Sequence, residues 1–178
     1  MKILFLNVGW SRAYCGNTDR DPLTGGGSYV EETGDGGEAE NFLPADGRVY
    51  GYVSTPRRRL RIERLEGTGA RDQSAAGVTV VWTASPPGRK GTYIVGWYQN
   101  ATVYRDWQLL ADGRAYQAVC DEDDALLLPV SLRTFEVPGA LEAGRGQGRG
   151  QCNAWYADNP EVRRGFVPRV LEYIEGIE

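Results

Sequence analysis

The sequence contains no histidine among its 178 residues. Histidine is the most frequent general base, the most frequent zinc ligand and the side chain that activates catalytic serine or cysteine. Its absence disfavours the hydrolases and zinc enzymes that depend on it. Among carboxylates, the acidic run Asp121–Asp124 is the one cluster that an enzyme could use. We therefore expect a domain that binds a ligand and catalyses no reaction itself.

Cysteines and long apolar runs are also scarce. Cys15, Cys120 and Cys152 are odd in number and widely spaced, and no secretion signal precedes them. This pattern argues against a disulfide framework and predicts a reducing, cytoplasmic environment. No apolar run approaches the roughly 20 residues that a membrane-spanning helix requires, so no membrane partner is expected. The apolar start, Met1–Leu6, is interpreted as a buried strand.

Motifs for phosphate-binding loops and metal sites are missing. Gly25-Gly26-Gly27 follows no predicted strand and precedes no Lys-Ser or Lys-Thr pair, which argues against a nucleotide P-loop. The run Asp121–Asp124 lacks the spacing and the glycine of an EF-hand, and we interpret it as a solvated loop or helix start. No zinc-ligand spacing and no catalytic serine turn occur. The sequence predicts neither a cofactor nor a metal.

The hydrophobic pattern predicts a β-rich domain over residues 1–157. Strands are expected over 2–10, 48–54, 78–84, 91–98, 101–107 and 113–118. The third and fourth of these flank a Pro-Pro-Gly turn, which indicates a hairpin. Residues 11–47 and 144–150 are rich in glycine and polar residues and are predicted to be irregular. We expect an α+β, β-rich fold with a twisted antiparallel sheet or an open barrel and a few short helices.

Residues 158–178 have a different pattern. Asn159-Pro160 is typical of a helix start, with a capping side chain before a first-turn proline. Apolar residues then recur at helical spacing, at positions 162, 166, 167, 170, 171 and 174. Gly165 and Pro168 weaken the middle of this segment. The sequence predicts an amphipathic C-terminal helix that either packs on the domain or leads into a further domain.

A local basic segment stands against the overall acidity of the chain. The net charge is −4, whereas residues 57–72 hold six arginines and three acidic residues. Guanidinium groups pair bidentately with phosphates and with guanine edges. We predict that Arg57, Arg58, Arg59 and Arg61 contact a DNA backbone or groove. The alternative is a solvated edge strand that carries charge to prevent aggregation.

Tyrosine and tryptophan are abundant, with ten and five residues against four phenylalanines. Their flat rings with polar handles suit stacking on bases or sugars. Asparagine amides near them present a donor and an acceptor together, as a base edge requires. The predicted modified-base pocket consists of Trp10, Asn41, Phe42, Trp97, Tyr98 and Asn100. The alternatives are that the rings are core residues and that the asparagines cap turns.

Several segments together resemble a known family. They are NVGW at 7–10, GGG at 25–27, NFLPADGRVYGYV at 41–53, VTVVWTA at 78–84 and GTYIVGWYQNATVYR at 91–105, followed by LLLP. The set is similar to the N-terminal domain of McrA-like HNH endonucleases of actinomycetes. It resembles more loosely the PUA-like SRA, EVE and YTH modules, which hold a modified base in an aromatic pocket. The resemblance implies a PUA-like reader of 5-methylcytosine in DNA.

The resemblance implies duplex DNA with methylated cytosine as the partner. In that family a separate HNH domain cuts the DNA. The HNH motif requires histidines, which this sequence lacks. The resemblance therefore implies that this chain is the targeting module of a modification-dependent restriction endonuclease. Two other ligands remain open. A PUA-like module that binds single-stranded RNA would use the same aromatic rings. A carbohydrate or small-ligand binder would need the rings but not the arginine run. The oligomeric state is not predicted.

Overall fold

A computed structural model describes residues 1–25 and 37–177 of the chain. Gly26 and Gly27 of the predicted glycine motif lie outside the described residues. The described part holds nine strands: β1 (Lys2–Asn7), β2 (Pro44–Ala45), β3 (Arg48–Gly51), β4 (Ser74–Ala84), β5 (Thr92–Leu109), β6 (Ala115–Asp121), β7 (Ala125–Leu127), β8 (Glu136–Val137) and β9 (Ala154–Trp155). Its α-helices are α1 (Ala140–Ala143) and α2 (Pro160–Glu175). Short 3₁₀ turns span Gly37–Glu40, Pro56–Arg58, Ile62–Arg64, Glu122–Asp124 and Val130–Leu132.

The strands form one open, mixed sheet in the spatial order β2-β3-β6-β5-β4-β1-β9. The 18-residue strand β5 lies at its centre. One edge of β5 pairs with β4, and the other pairs in turn with β8, β7 and β6. The predicted hairpin of β4 and β5 is confirmed. The separate strand expected over 101–107 is instead the second half of β5.

Strand β1 explains why the sheet is mixed. It runs parallel to β4, with Leu4 opposite Val80, whereas the other paired strands are antiparallel. A parallel pair needs a long connection, and the chain between Asn7 and Ser74 supplies it. The β-rich fold with few helices is confirmed, but the expectation of an antiparallel sheet is wrong for β1.

Both faces of the sheet are buried around β1, β4 and the first half of β5. Leu4 and Leu6 point into a core on one face, while Ile3 and Phe5 point into a second core on the other. Strands buried on both faces are apolar throughout instead of alternating with polar residues. This explains the continuous apolar run at the start of the chain.

Helix α2 covers the second core. Its apolar positions Val162, Val167, Val170 and Ile174 are buried. The Asn159 side chain accepts a hydrogen bond from the Glu161 N–H at 2.8 Å, which caps the first turn. The predicted amphipathic helix is confirmed, and it packs on the sheet. No helix in the described ranges is long and apolar enough to cross a membrane.

Candidate functional site

The predicted ring pair Trp97 and Tyr98 lies in the protein interior. The two side chains point to opposite faces of β5, as expected for neighbours in a strand. Both are buried, because both faces of the sheet are covered at this point. Tyr98 is fully buried between Phe42 and Trp82, at ring-centroid distances of 5.4 and 5.2 Å. This burial raises the pKa of Tyr98 well above its usual value.

Asn41 and Phe42 belong to the same core as Tyr98. The Asn41 side chain accepts from the Tyr52 N–H at 2.8 Å and donates to the Tyr52 carbonyl at 2.9 Å. The Tyr98 hydroxyl donates to the Asn41 carbonyl. The donor and the acceptor of the Asn41 side-chain amide are therefore both hydrogen-bonded to the Tyr52 backbone, so this amide is not available to a base edge.

Trp10 and Asn100 lie apart from this group. Trp10 is half-buried, with the Arg133 guanidinium 4.8 Å from its ring centroid. Asn100 is exposed and adopts a φ of 49°, and its amide lies 3.5 Å from an Asp124 carboxylate oxygen. The structure thus brings together Asn41, Phe42 and Tyr98, but inside a core. The six predicted residues do not form an open pocket.

The four predicted arginines lie together on the surface, in a segment that we call the arginine ridge (Pro56–Arg61). Arg57, Arg58, Arg59 and Arg61 are all exposed. The apolar residues on either side of Arg61 fix the segment to the sheet, since Leu60 and Ile62 are buried in the first core. The Leu60 N–H also donates to the carbonyl of Arg105 in β5, at 2.8 Å. The ridge is therefore a built surface and not a mobile tail.

The ridge arginines differ in their partners. Arg59 pairs with Asp106 at 2.8 Å and Arg61 lies 3.5 Å from Glu63, and both arginines are exposed. Exposed pairs contribute about 0–1 kcal/mol and are readily exchanged for another anion. Arg57 has no ion pair within the described part of the chain. The ridge thus retains cationic groups that are available to a ligand.

One side of the ridge opens into a basic cleft of about 390 Å³. Five arginines line it, namely Arg57, Arg59, Arg61, Arg64 and Arg105, with Glu63 as the one acidic lining residue described. Arg105 donates to Glu63 at 2.6 Å, and Arg64 binds both carboxylate oxygens of Asp158 at 2.7 and 2.6 Å. These pairs fix the cleft wall, and the ridge arginines supply its excess positive charge.

The other side of the ridge opens into an aromatic cleft of about 660 Å³. Tyr52 and Trp107 form an edge-to-face pair there, with ring centroids 4.8 Å apart. The Arg58 guanidinium lies 4.7 Å from the Trp107 centroid. Arg114 and Glu40 line the wall, 3.3 Å apart.

Trp107 was not among the predicted site residues. The sequence does contain a signal for it, because its direct neighbours in the strand are Asp106 and Gln108. Charged and polar neighbours indicate that the sheet reaches the surface at this point. Trp97, in contrast, has apolar and glycine neighbours and is buried.

Two buried charged side chains fix the loop that follows β1. Glu38 accepts hydrogen bonds from the N–H groups of Gly9 and Ser54, at 2.8 and 3.2 Å. Burial raises the pKa of its carboxyl to about 7, although both hydrogen bonds oppose the shift. Arg133 is also buried and donates to the carbonyls of Ser11 and Leu128, at 2.7 and 3.0 Å. Loss of hydration lowers the pKa of Arg133.

In comparisons with known proteins, no family model, no curated protein and no solved structure matches this chain. The likeness to McrA-like reader domains remains a prediction from the sequence. Within the described residues, no group of three or more acidic, cysteine or histidine side chains is placed to hold a metal ion.

Proposed function

We propose that this chain binds nucleic acid through the arginine ridge and the basic cleft beside it. The observation that carries the proposal is the placement of four exposed arginines between a basic and an aromatic cleft. The chain as a whole has a net charge of −4, so this patch opposes its overall sign. A phosphate backbone in the basic cleft would meet Arg57 and Arg61 first, because their side chains are exposed and weakly paired.

We further propose, from the family resemblance, that the ligand is duplex DNA with a methylated cytosine. Because most aromatic rings of the predicted modified-base pocket are buried, a base would instead stack in the aromatic cleft, beside Trp107. Burial of one methyl group contributes only about 1 kcal/mol, so we expect a preference of roughly five-fold for the methylated duplex. On the same resemblance a separate HNH domain would cut the DNA.

The test is a set of binding titrations at fixed salt, monitored by fluorescence anisotropy. The ligands are methylated, hemimethylated and unmodified duplexes of one sequence, with matched single-stranded RNA. We expect binding to duplex DNA, tightest for the methylated form. Equal affinity for all three duplexes would contradict methyl reading, and tighter binding of the RNA would favour an RNA-binding module.

Charge reversal on the ridge identifies the contact surface. The double variant R57E/R61E should lose at least about tenfold in duplex affinity, because it replaces two phosphate contacts by repulsion. The matched control is R164E/R169E, which makes the same charge change at exposed positions of α2. An equal loss in both variants would mean that overall charge, and not the ridge, determines binding.

A further inference from the structure

We propose that a further cleft, lined by Arg149, binds a small organic acid whose single carboxylate pairs with this guanidinium. The cleft lies between Lys90–Thr92, β8, α1 and Arg149–Gln151. Its volume of about 430 Å³ falls within the range of about 300–1,000 Å³ typical of small-ligand sites. It shares no described lining residue with the basic or the aromatic cleft, so it is separate from the proposed nucleic-acid surface.

The glycine-rich segment 144–150 fixes the backbone of Arg149. The Arg149 N–H donates to the Pro138 carbonyl, and the Arg149 carbonyl accepts from the Ala140 N–H, both at 2.8 Å. Gly148 permits this close approach, because a Cβ there would lie 2.6 Å from the Pro138 carbonyl oxygen. Arg149 is therefore attached to the chain between β8 and α1 and belongs to a built wall of the cleft.

The guanidinium of Arg149 is half-buried but has few partners. It donates to the Gly150 carbonyl at 3.2 Å and to the Thr92 hydroxyl at 3.3 Å, which uses two of the five N–H donors of a guanidinium. Within residues 1–25 and 37–177, its buried Nε has no hydrogen-bond partner and Arg149 forms no ion pair. Loss of hydration lowers the pKa of Arg149. A cation that loses hydration without gaining a counter-ion is costly, so an anion would be stabilised here.

Two more deeply buried arginines have better partners than Arg149. Arg133 donates three hydrogen bonds of 2.6–3.0 Å to carbonyl groups, and Arg105 pairs with Glu63 at 2.6 Å. Arg149 has neither short hydrogen bonds nor a counter-ion. A carboxylate in the cleft would supply both, because charge-assisted hydrogen bonds are shorter and stronger than neutral ones. This difference points to an anionic ligand at Arg149.

The other charged residues of the cleft disfavour a polyanion. Lys90 and Arg149 are opposed there by Glu136 and Glu142, so the described lining carries no net charge. A nucleic-acid backbone or a polyphosphate would bring several negative charges to this neutral wall. One carboxylate, in contrast, matches the one guanidinium that lacks a counter-ion. We therefore expect a ligand with a single negative charge.

Apolar side chains beside Arg149 favour a ligand with a hydrocarbon part. Val137, Ala140 and Leu141 line the same cleft. Leu141 is fully exposed and is the most exposed of the large apolar residues described. A short hydrocarbon chain in the cleft would cover Leu141 and remove apolar surface from water. A short-chain carboxylic acid such as hexanoate combines this hydrocarbon part with one carboxylate.

Titration of the ¹⁵N-labelled chain with hexanoate tests the site, with acetate, 1-hexanol and inorganic phosphate as comparison ligands. The Nε–H signal of Arg149 and the backbone N–H signals of Gly91 and Gly139 are followed by NMR. We expect hexanoate to bind at least about tenfold more tightly than each comparison ligand. No shift with hexanoate, or equal binding of any comparison ligand, would overturn the assignment.

Substitution of Arg149 tests its pairing with the carboxylate. R149M keeps the apolar stem but removes the charge, so hexanoate affinity should fall at least about tenfold. The matched control is R145M, because Arg145 is exposed, lies in the same segment and does not line this cleft. Wild-type affinity in R149M, or equal losses in R149M and R145M, would contradict a specific role of Arg149.

If R149M does not fold, L141S tests the same cleft from a fully exposed position, where substitution has little effect on stability. Hexanoate affinity should fall at least about threefold, because less apolar surface is covered, whereas acetate affinity should not change. Wild-type hexanoate affinity in L141S would overturn the placement of the hydrocarbon chain.

Duplex titrations distinguish this site from the proposed nucleic-acid surface. R149M should keep the wild-type duplex affinity within about twofold, because Arg149 lines neither cleft of the ridge. A loss of at least about fivefold in R149M, without a loss in R145M, would assign Arg149 to the nucleic-acid surface and overturn the separate site.

Discussion

At the scale of single residues, two buried charged side chains hold the loop that follows β1. Glu38 connects this loop to Ser54, two residues before the ridge, and Arg133 connects it to Leu128, just after β7. Neither side chain forms an ion pair within the described residues. A buried charge without a counter-ion depends on its hydrogen bonds, so both positions are sensitive to substitution.

Glu38 makes the stability of the protein depend on pH. Its pKa is about 7 in the folded state, against 4.5 as its ordinary value. The folded protein therefore binds the Glu38 proton more tightly than the unfolded chain does. The free energy of unfolding should fall as pH rises from about 4.5 to about 7, by at most about 3 kcal/mol.

The measurement for Glu38 is urea denaturation at pH 5, 6, 7 and 8, on the wild type and on E38Q. The wild type should lose more stability than E38Q between pH 5 and pH 7. The exposed Glu172 provides a control, since E172Q should follow the wild type. If the free energies of unfolding of the wild type and E38Q change with pH in parallel, Glu38 is not the source of the pH dependence.

Arg133 is predicted to be essential for stability. R133M keeps the apolar stem but leaves the carbonyls of Ser11, Arg12 and Leu128 without their buried donor. We expect a loss of about 3 kcal/mol in the free energy of unfolding, because several buried acceptors become unpaired. At the exposed Arg164 the same substitution should cost less than about 0.5 kcal/mol. Similar effects at both positions would contradict this role.

The predicted arginines lie on the surface, whereas most residues of the predicted base pocket are buried. From Arg59 to Ile62, arginines alternate with the buried Leu60 and Ile62, a pattern that separates outward from inward side chains. For aromatic residues the sequence does not distinguish buried from exposed positions, because Trp and Tyr occur both in cores and in binding sites. Trp97 is buried under helix α2, and Tyr98 is buried under loops on the opposite face of the sheet. No local sequence pattern reveals this coverage.

At the scale of elements, local signals predicted the helix and the central hairpin. The cap at Asn159 and the apolar spacing of α2 lie within one short segment, as do the two strands and the turn of β4 and β5. The partner of β1 was not predictable in the same way, because it follows a long connection. The parallel pairing of β1 with β4 is therefore a property of the whole fold.

Substitution by alanine at two glycines in different elements should change the stability of the protein in opposite directions. In α2, a Cβ added at Gly165 would meet no neighbouring atom within 4 Å, so G165A should stabilise the protein by about 0.5–1 kcal/mol. In β3, a Cβ at Gly51 would lie 2.3 Å from the Trp82 ring, so G51A should destabilise it by about 1–3 kcal/mol. Thermal unfolding of both variants checks the pair. Destabilisation by G165A would indicate that α2 packs differently.

At the scale of the whole molecule, the proposed function depends on the uneven distribution of charge over the surface. The chain is acidic, with a net charge of −4, yet five arginines line one cleft. Such a patch can attract a phosphate backbone while the remaining surface repels it. This arrangement favours one binding orientation and limits non-specific association.

The salt dependence of duplex binding tests this central claim most directly. If the four ridge arginines each neutralise one phosphate, the logarithm of the wild-type affinity should fall with the logarithm of salt concentration with a slope of about −3.6. The R57E/R61E variant should lose about two units of that slope, and R164E/R169E should keep the wild-type value. A slope unchanged by R57E/R61E, or no duplex binding by the wild type, would contradict the account.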